Sequence, residues 1–158
     1  MTEPTRLEPG DRAPAFNLAD QSGTKLRLSS FKGRKVLVFF YPKAMTPGCT
    51  AEACDFRDSY DDFTEAGYDI VGISPDPPEL NRRFREKFSL PFPLLSDQKH
   101  SVADAFGAWG TKINYGKEYE GLIRSTFVVG PDQTVEREYR NVRAKGHVER
   151  LRGELLEG

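Results

Sequence analysis

The sequence of 158 residues is short of several things. It has two cysteines, two histidines and one tryptophan, and neither charge sign dominates, 23 Lys and Arg standing against 24 Asp and Glu for a net charge of -1. The charges are scattered, so no basic face calls for nucleic acid or an anionic membrane surface. His100 and His147 lie far from the cysteines and show no paired ligand spacing, which excludes a zinc site and places both at the surface. The longest apolar run, Val36 to Tyr41, is too short to span a bilayer. Met1 to Gly10 is polar, carries two prolines and lacks the apolar core of a secretory signal. A cytoplasmic protein is expected, in which two cysteines stay reduced unless something oxidises them, favouring a catalytic pair over a structural disulfide. No glycine-rich phosphate loop follows the apolar run, so no nucleotide is implied, and no cofactor or metal is expected. The length suits one domain, residues 1–158, with no internal repeat.

What is present is concentrated in one stretch. Phe39-Phe40-Tyr41-Pro42 ends a strand-like run, a short loop follows, and Thr46-Pro47 has the form of an N-cap and first helical residue. Cys49 then falls in the first turn of a helix. Unpaired N–H groups and the helix dipole favour an anion at that position, here a thiolate.

Cys54 lies five residues on. On one helix that spacing sets the two cysteines about 140° apart in azimuth and roughly 7.5 Å along the axis, with Cα atoms about 8.6 Å apart. A disulfide tolerates about 7 Å. The pair can bond only if the helix unwinds between them, which suits a redox cycle better than a structural cross-link. Two ordinary buried thiols fit the same spacing, since free cysteine is among the most buried residue types.

Taken in order, the chain alternates strand and helix patterns. Asp11 to Leu18 and Lys25 to Leu28 flank a polar turn and predict an N-terminal hairpin; Ser29 to Gly33 reads as a short helical turn. Val36 to Tyr41, apolar throughout, predicts a central strand covered on both faces. From Pro47 a helix running to Gly67 carries Cys49, Ala53, Phe56, Tyr60 and Phe63 on one stripe, with Cys54 off it. Tyr68 to Ser74 is the next strand, parallel to the first. A helix opening at Pro77-Pro78-Glu79, with Leu80, Phe84 and Phe88 on one face, is followed by a strand at Phe92 to Leu95 and a short helix at His100 to Phe106. The glycine-rich Gly107 to Gly121, with Trp109, Tyr115 and Tyr119, reads as a loop bordering the site. Strands at Leu122 to Val129 and Thr134 to Arg140 and a helix at Lys145 to Leu155 close the chain. That order describes an α/β thioredoxin-like fold with a mixed central sheet, helices on its faces and an N-terminal β-hairpin extension.

The pattern Pro42-x-x-x-Thr46-x-x-Cys49 resembles the active-site signature of the peroxiredoxins, and Tyr41 to Thr50 with Cys54 is similar to the bacterioferritin-comigratory-protein or peroxiredoxin Q branch. Gly72-Ile73-Ser74, Pro93 to Asp97, Gly107 to Gly110 and Ile123 to Phe127 extend the resemblance over most of the chain. It implies a thiol-dependent peroxidase: Cys49 attacks a hydroperoxide and becomes a sulfenic acid, Cys54 condenses with it into an intramolecular disulfide, and thioredoxin or a similar dithiol resets both. It implies that Thr46, Arg124 and the backbone N–H groups near Gly48 and Cys49 hold the peroxide oxygens, that Pro42 shields the thiolate and that Glu52 orients Arg124. Relatives in this branch are often monomers. Ala44 departs from the Asp of many relatives, a difference that bears on substrate preference. Read without the resemblance, Thr46 is a helix cap, Arg124 a surface charge and Glu52 an acid favoured by the helix dipole. Two other functions compete, a redox sensor or holdase whose oxidised form binds partners and a general thiol-disulfide oxidoreductase. The latter lacks the C-x-x-C spacing.

Overall fold

Val36 to Phe40 have no accessible surface, and this complete burial places their strand in the middle of the molecule. The computed structural model describes residues 7–114 and 116–156; Tyr115, named above, lies outside them. The strand is β3, Lys35–Phe40, and it has a neighbour on each side. On one side it runs parallel to β4, Tyr68–Ser74, which in turn runs parallel to β5, Leu94–Ser96. On the other it is antiparallel to β8, Ser125–Val129, followed by β9, Val135–Arg140. The predicted N-terminal hairpin is β1, Asn17–Ala19, with β2, Lys25–Arg27, joined to the sheet at β5. Its first strand is shorter than the apolar pattern suggested; from the segment before it, Arg12 makes only an isolated bridge to Thr134.

Alternation along β3 divides the core in two. Val36, Val38 and Phe40 pack with Phe106, Phe127 and the N-terminal segment on one face. Leu37, Phe39 and Tyr41 pack on the other with Phe56, Phe84 and Leu151 from the helices and with Phe92 from the loop before β5. These helices are α1, Pro47–Asp58, α2, Tyr60–Glu65, α3, Pro78–Phe88, and α5, His147–Leu155, while α4, Ser101–Phe106, covers the first face. Phe39 stacks on Phe56 at 4.6 Å between ring centroids. Gly72 makes room for it: a Cβ there would stand 2.8 Å from Phe39 and 2.9 Å from Leu94. Among the described residues no helix is long and apolar enough to cross a membrane.

Three expectations are corrected. The helix from Pro47 is two helices, because at Ser59 (φ -104°, ψ 3°) the chain turns out of α geometry before α2 begins; Gly67 (φ 91°) ends it. Gly107 to Gly121 is chiefly a β-hairpin, β6, Trp109–Asn114, against β7, Lys117–Leu122, in full antiparallel register. Leu122 therefore closes β7, and Ile123-Arg124 separates it from β8. His147 is 4% exposed, packed edge-on against Phe56 and near Tyr139, rather than on the surface; the aromatic residues of α1 and β9 cover it. His100 is half-exposed and stacks on Trp109, which packs against the core.

Candidate active site

Cys49 is the third residue of α1, buried at 1% exposure at the edge of the helix-facing core. The Arg124 guanidinium reaches its sulfur, Nη2 to Sγ 3.4 Å, and with Nη1 donates to Glu52 Oε1 at 2.7 Å. Residues 75 and 72 positions apart thus converge. The cause is strand register. Antiparallel pairing sets Ser125 opposite Phe40, so the residue before β8 arrives where β3 hands over to the loop before α1. Ile123 N–H to the Ala108 carbonyl (2.7 Å) and Val142 N–H to the Arg124 carbonyl (2.9 Å) fix the backbone on either side.

Gly48 lets the guanidinium in. A Cβ at this position would lie 3.2 Å from Arg124 Nη2 and 3.7 Å from Ala144 Cβ. Glu52, one turn after Cys49, has no accessible surface, and its Oε2 has no hydrogen-bond partner among the described residues. Burial raises its carboxyl from 4.5 to about 7 against the opposing pull of Arg124. Arg124 itself is lowered by burial but raised by more, through Glu52 and the Cys49 sulfur, for a net increase. A single-pronged ion pair in an apolar setting leaves half the carboxylate unsolvated.

Thr46 stands at the N-cap with extended backbone (φ -78°, ψ 153°), yet its side chain does not cap the helix. Its hydroxyl donates to the Lys43 carbonyl at 2.7 Å, which leaves the oxygen's lone pairs as acceptors. Thr50 N–H to the Thr46 carbonyl closes the first turn through the backbone. Met45, just before, adopts φ 71° with a third of its surface exposed, a left-handed conformation that costs a side-chain-bearing residue on the order of 1–2 kcal/mol. Buried Asp76 restrains this loop, accepting from Ala44 N–H at 2.7 Å. Beside it, the Tyr41 hydroxyl donates to Asn81 Oδ1 at 2.6 Å. Neither Asp76 nor this pair was singled out from the sequence; Tyr41 at the end of a fully apolar strand, needing a partner for its hydroxyl, was the available signal. Pro42 is half-buried at the start of the loop.

Cys54 lies on the same unbroken α1, half-exposed, and both cysteines are free thiols. Burial raises the Cys54 thiol, with Arg57 pulling the other way and Asp58 and Asp55 adding to the rise. Arg57 also donates to the Phe88 carbonyl at 2.7 Å, tying this turn of α1 to the end of α3. Lys112 of β6 donates to the Leu122 carbonyl at 2.8 Å; burial and then Arg124 lower its ammonium, while Cys49 works against them. Among the described residues no three His, Cys, Asp or Glu side chains group as metal ligands would.

Residues 9–138 match the model of the AhpC/TSA family. A putative peroxiredoxin of Mycobacterium tuberculosis is 54% identical over 155 residues, 98% of this chain and 99% of that one. The peroxiredoxin Bcp of Escherichia coli is 48% identical over 141 residues, 89% of this chain and 90% of that one. Among solved structures, the bacterioferritin comigratory protein of Xanthomonas campestris, studied for its alkyl peroxide reduction, superposes with a TM-score of 0.87 at 32% identity, over 95% of this chain and 98% of that one. The fold is thioredoxin-like, with its buried thiol at a helix start. The chain belongs to the AhpC/TSA family, as a peroxiredoxin of the bacterioferritin-comigratory-protein or peroxiredoxin Q branch.

Proposed function

We propose that in the thiol peroxidase reaction of this chain Cys49 is the attacking sulfur and Cys54 the resolving one. The Cys49 thiolate attacks one peroxide oxygen: an S–O bond forms, the O–O bond breaks and the departing alkoxide or hydroxide takes a proton. Cys54 sulfur then attacks the sulfenic acid, an S–S bond forms and water leaves. A dithiol donor, for which we propose thioredoxin, reduces the disulfide. We further propose that the reaction runs in the cytoplasm, in a single-domain chain that acts as a monomer, with a dimer as the alternative.

Thiolate formation is the smaller requirement. A free cysteine is about 3% ionised at pH 7, so full ionisation gains at most roughly 30-fold, about 2 kcal/mol. Enzymes commonly lower barriers by 8 kcal/mol or more. The rest comes from holding the O–O bond in line and stabilising charge on the leaving oxygen. Arg124 is assigned both tasks because its fork already spans Cys49 Sγ and Glu52 Oε1, leaving it rigid and positive. Thr46 accepts from the peroxide O–H, N–H groups at Gly48 and Cys49 add donors, and Pro42 shields the sulfur. Glu52 is a positioning residue acting through Arg124.

The single observation behind this reading is the Arg124 contact to a buried sulfur at a helix N-terminus. Because both cysteines lie on one helix, the resolving step requires α1 to unwind between them. The test is thiol counting after mixing reduced protein with hydroperoxide. Cys49→Ser is expected to consume none, and Cys54→Ser to complete one fast turnover to a trapped sulfenic acid. Fast turnover in the Cys49 variant, with loss in the Cys54 variant, would reverse the assignment.

A further inference from the structure

Two acidic groups of α1 meet one guanidinium. Arg124 gives Nη2 to Cys49 Sγ at 3.4 Å and Nη1 to Glu52 Oε1 at 2.7 Å. We propose, on the reading of Cys49 as the attacking sulfur, that these two groups share a single negative charge. Glu52 keeps a proton while the sulfur is a thiolate and gives it up when the sulfur becomes a neutral sulfenic acid.

Three observations carry it. The first is the count of charges around Glu52. Among the described residues Arg124 is the only cation that hydrogen-bonds or ion-pairs with it. Asp55, on the same helix, adds repulsion. From the end of β3 comes Tyr41, whose hydroxyl burial raises well above 10, and from α5 comes His147, which burial, then Arg150 and Arg124, lower to about 4; both are neutral at pH 7. Lys112 of β6 acts on Arg124 and the sulfur, but gives its hydrogen bond to the Leu122 carbonyl. A thiolate and a carboxylate together would therefore divide one guanidinium in a place where Glu52 has no accessible surface.

The second is spacing. Cys49 and Glu52 stand three residues apart on α1, which brings their Cβ atoms to about 5–6 Å. Like charges that close in a buried site change each other's proton affinity tenfold or more. The third is Oε2, buried and without a hydrogen-bond partner among the described residues. Oε1 accepts from Arg124 whether or not the carboxyl is ionised, so the proton belongs on Oε2, where a neutral O–H is easier to bury than half a carboxylate. Burial, with Asp55 adding to it and Arg124 opposing, already carries the carboxyl to about 7, and a thiolate drawing on the same guanidinium raises it further.

The oxidation step then balances within the protein. The thiolate supplies the electron pair, the S–O bond forms with the peroxide O–H retained on sulfur, and the O–O bond breaks. The leaving alkoxide or hydroxide takes one proton, and Glu52, relieved of the thiolate's charge, gives one up. Glu52 stays a positioning residue, since it acts through Arg124 and the shared charge rather than by touching the peroxide.

The test follows the Glu52 carboxyl itself. Full-length reduced protein carrying ¹³C in its glutamate carboxyls is titrated from pH 5 to 9 by NMR, the Glu52 signal being the one missing from Glu52→Gln. Its midpoint in the parent is expected to lie above that in Cys49→Ser and in Cys49→Ala, where position 49 cannot ionise, by tenfold or more in proton affinity. Cys54→Ser is expected to match the parent. A second measurement counts protons with an indicator dye in weak buffer at pH 7.5. Oxidation of Cys54→Ser by hydroperoxide should take up well under one proton per sulfur, and the double variant with Glu52→Gln about one. Equal Glu52 midpoints in the parent and both Cys49 variants, a carboxylate already ionised at pH 5, or equal proton uptake with and without Glu52 would overturn the proposal. Thiol counting reports on the Cys49 assignment separately, so the two readings fail independently.

Discussion

Replacing Glu52 by Gln tests the balance of burial against pairing at the centre of the site. In the native protein burial carries the Glu52 carboxyl from 4.5 to about 7, with Arg124 opposing. The folded state therefore holds this proton more tightly than the unfolded chain does. Below pH 4.5 the group is protonated in both states and costs nothing. As pH rises from 4.5 towards 7 the unfolded chain gains by ionising first, and native stability falls. At about 1.4 kcal/mol for each tenfold change in proton affinity, the full destabilisation above pH 7 is about 3 kcal/mol. Gln cannot ionise. It keeps an acceptor for Arg124 Nη1 and, like the O–H of the protonated acid, places a donor where Oε2 now has no partner, so it imitates the protonated carboxyl at every pH. Glu52→Gln is thus expected to match the parent to within about 1 kcal/mol at pH 4.5 and to become the more stable by about 3 kcal/mol by pH 8. The measurement is urea unfolding of both reduced proteins from pH 4.5 to 8.5, followed by far-ultraviolet circular dichroism. The low value of His147 weakens both proteins as pH falls from 6.5 towards about 4 and drops out of the difference. A difference curve flat to within about 0.5 kcal/mol would show that Arg124 keeps the carboxylate ionised throughout, and would refute the reasoning.

Two glycine substitutions probe close approach in opposite ways. Gly48→Ala adds a Cβ 3.2 Å from Arg124 Nη2, displacing the guanidinium from a sulfur it reaches at 3.4 Å. Alanine is also the better helix residue by about 1 kcal/mol, so the melting temperature should hold or rise while the stopped-flow rate with hydroperoxide falls about tenfold. An unchanged rate would mean that the placement of Arg124 is not what accelerates the reaction. Gly72→Ala puts a methyl 2.8 Å from Phe39 and 2.9 Å from Leu94, in a rigid core rather than beside a flexible chain. Denaturant unfolding should show a loss of about 1–3 kcal/mol, and a loss under about 0.5 kcal/mol would mean that Phe39 has room to move.

Local pattern settled much of this protein in advance. The unbroken apolar run of β3, the stripe through Cys49, Ala53, Phe56 and Phe63, and proline and glycine at the ends of elements specify strand, helix and break from neighbouring residues alone. They also set both cysteines on one helix, and with them the distance that separates the thiols. What needed the tertiary structure depends on which distant residues come together. The β6–β7 hairpin lies in a glycine-rich stretch where Ile113 and Tyr119 stay exposed, so no alternation of buried and solvated positions announces it. His147 sits among charged residues that suggest a surface position, and Phe56, Tyr139 and Thr126 from other elements bury it. Asp76 holds the loop at Ala44 from 32 residues away. The triangle of Cys49, Glu52 and Arg124 exists because β8 pairs antiparallel with β3 in one register, and a slip of one residue would turn every side chain of β8 to the opposite face. Periodicity along a chain records which face of an element is apolar; the partner that meets that face is selected by packing and hydrogen bonding over the whole fold.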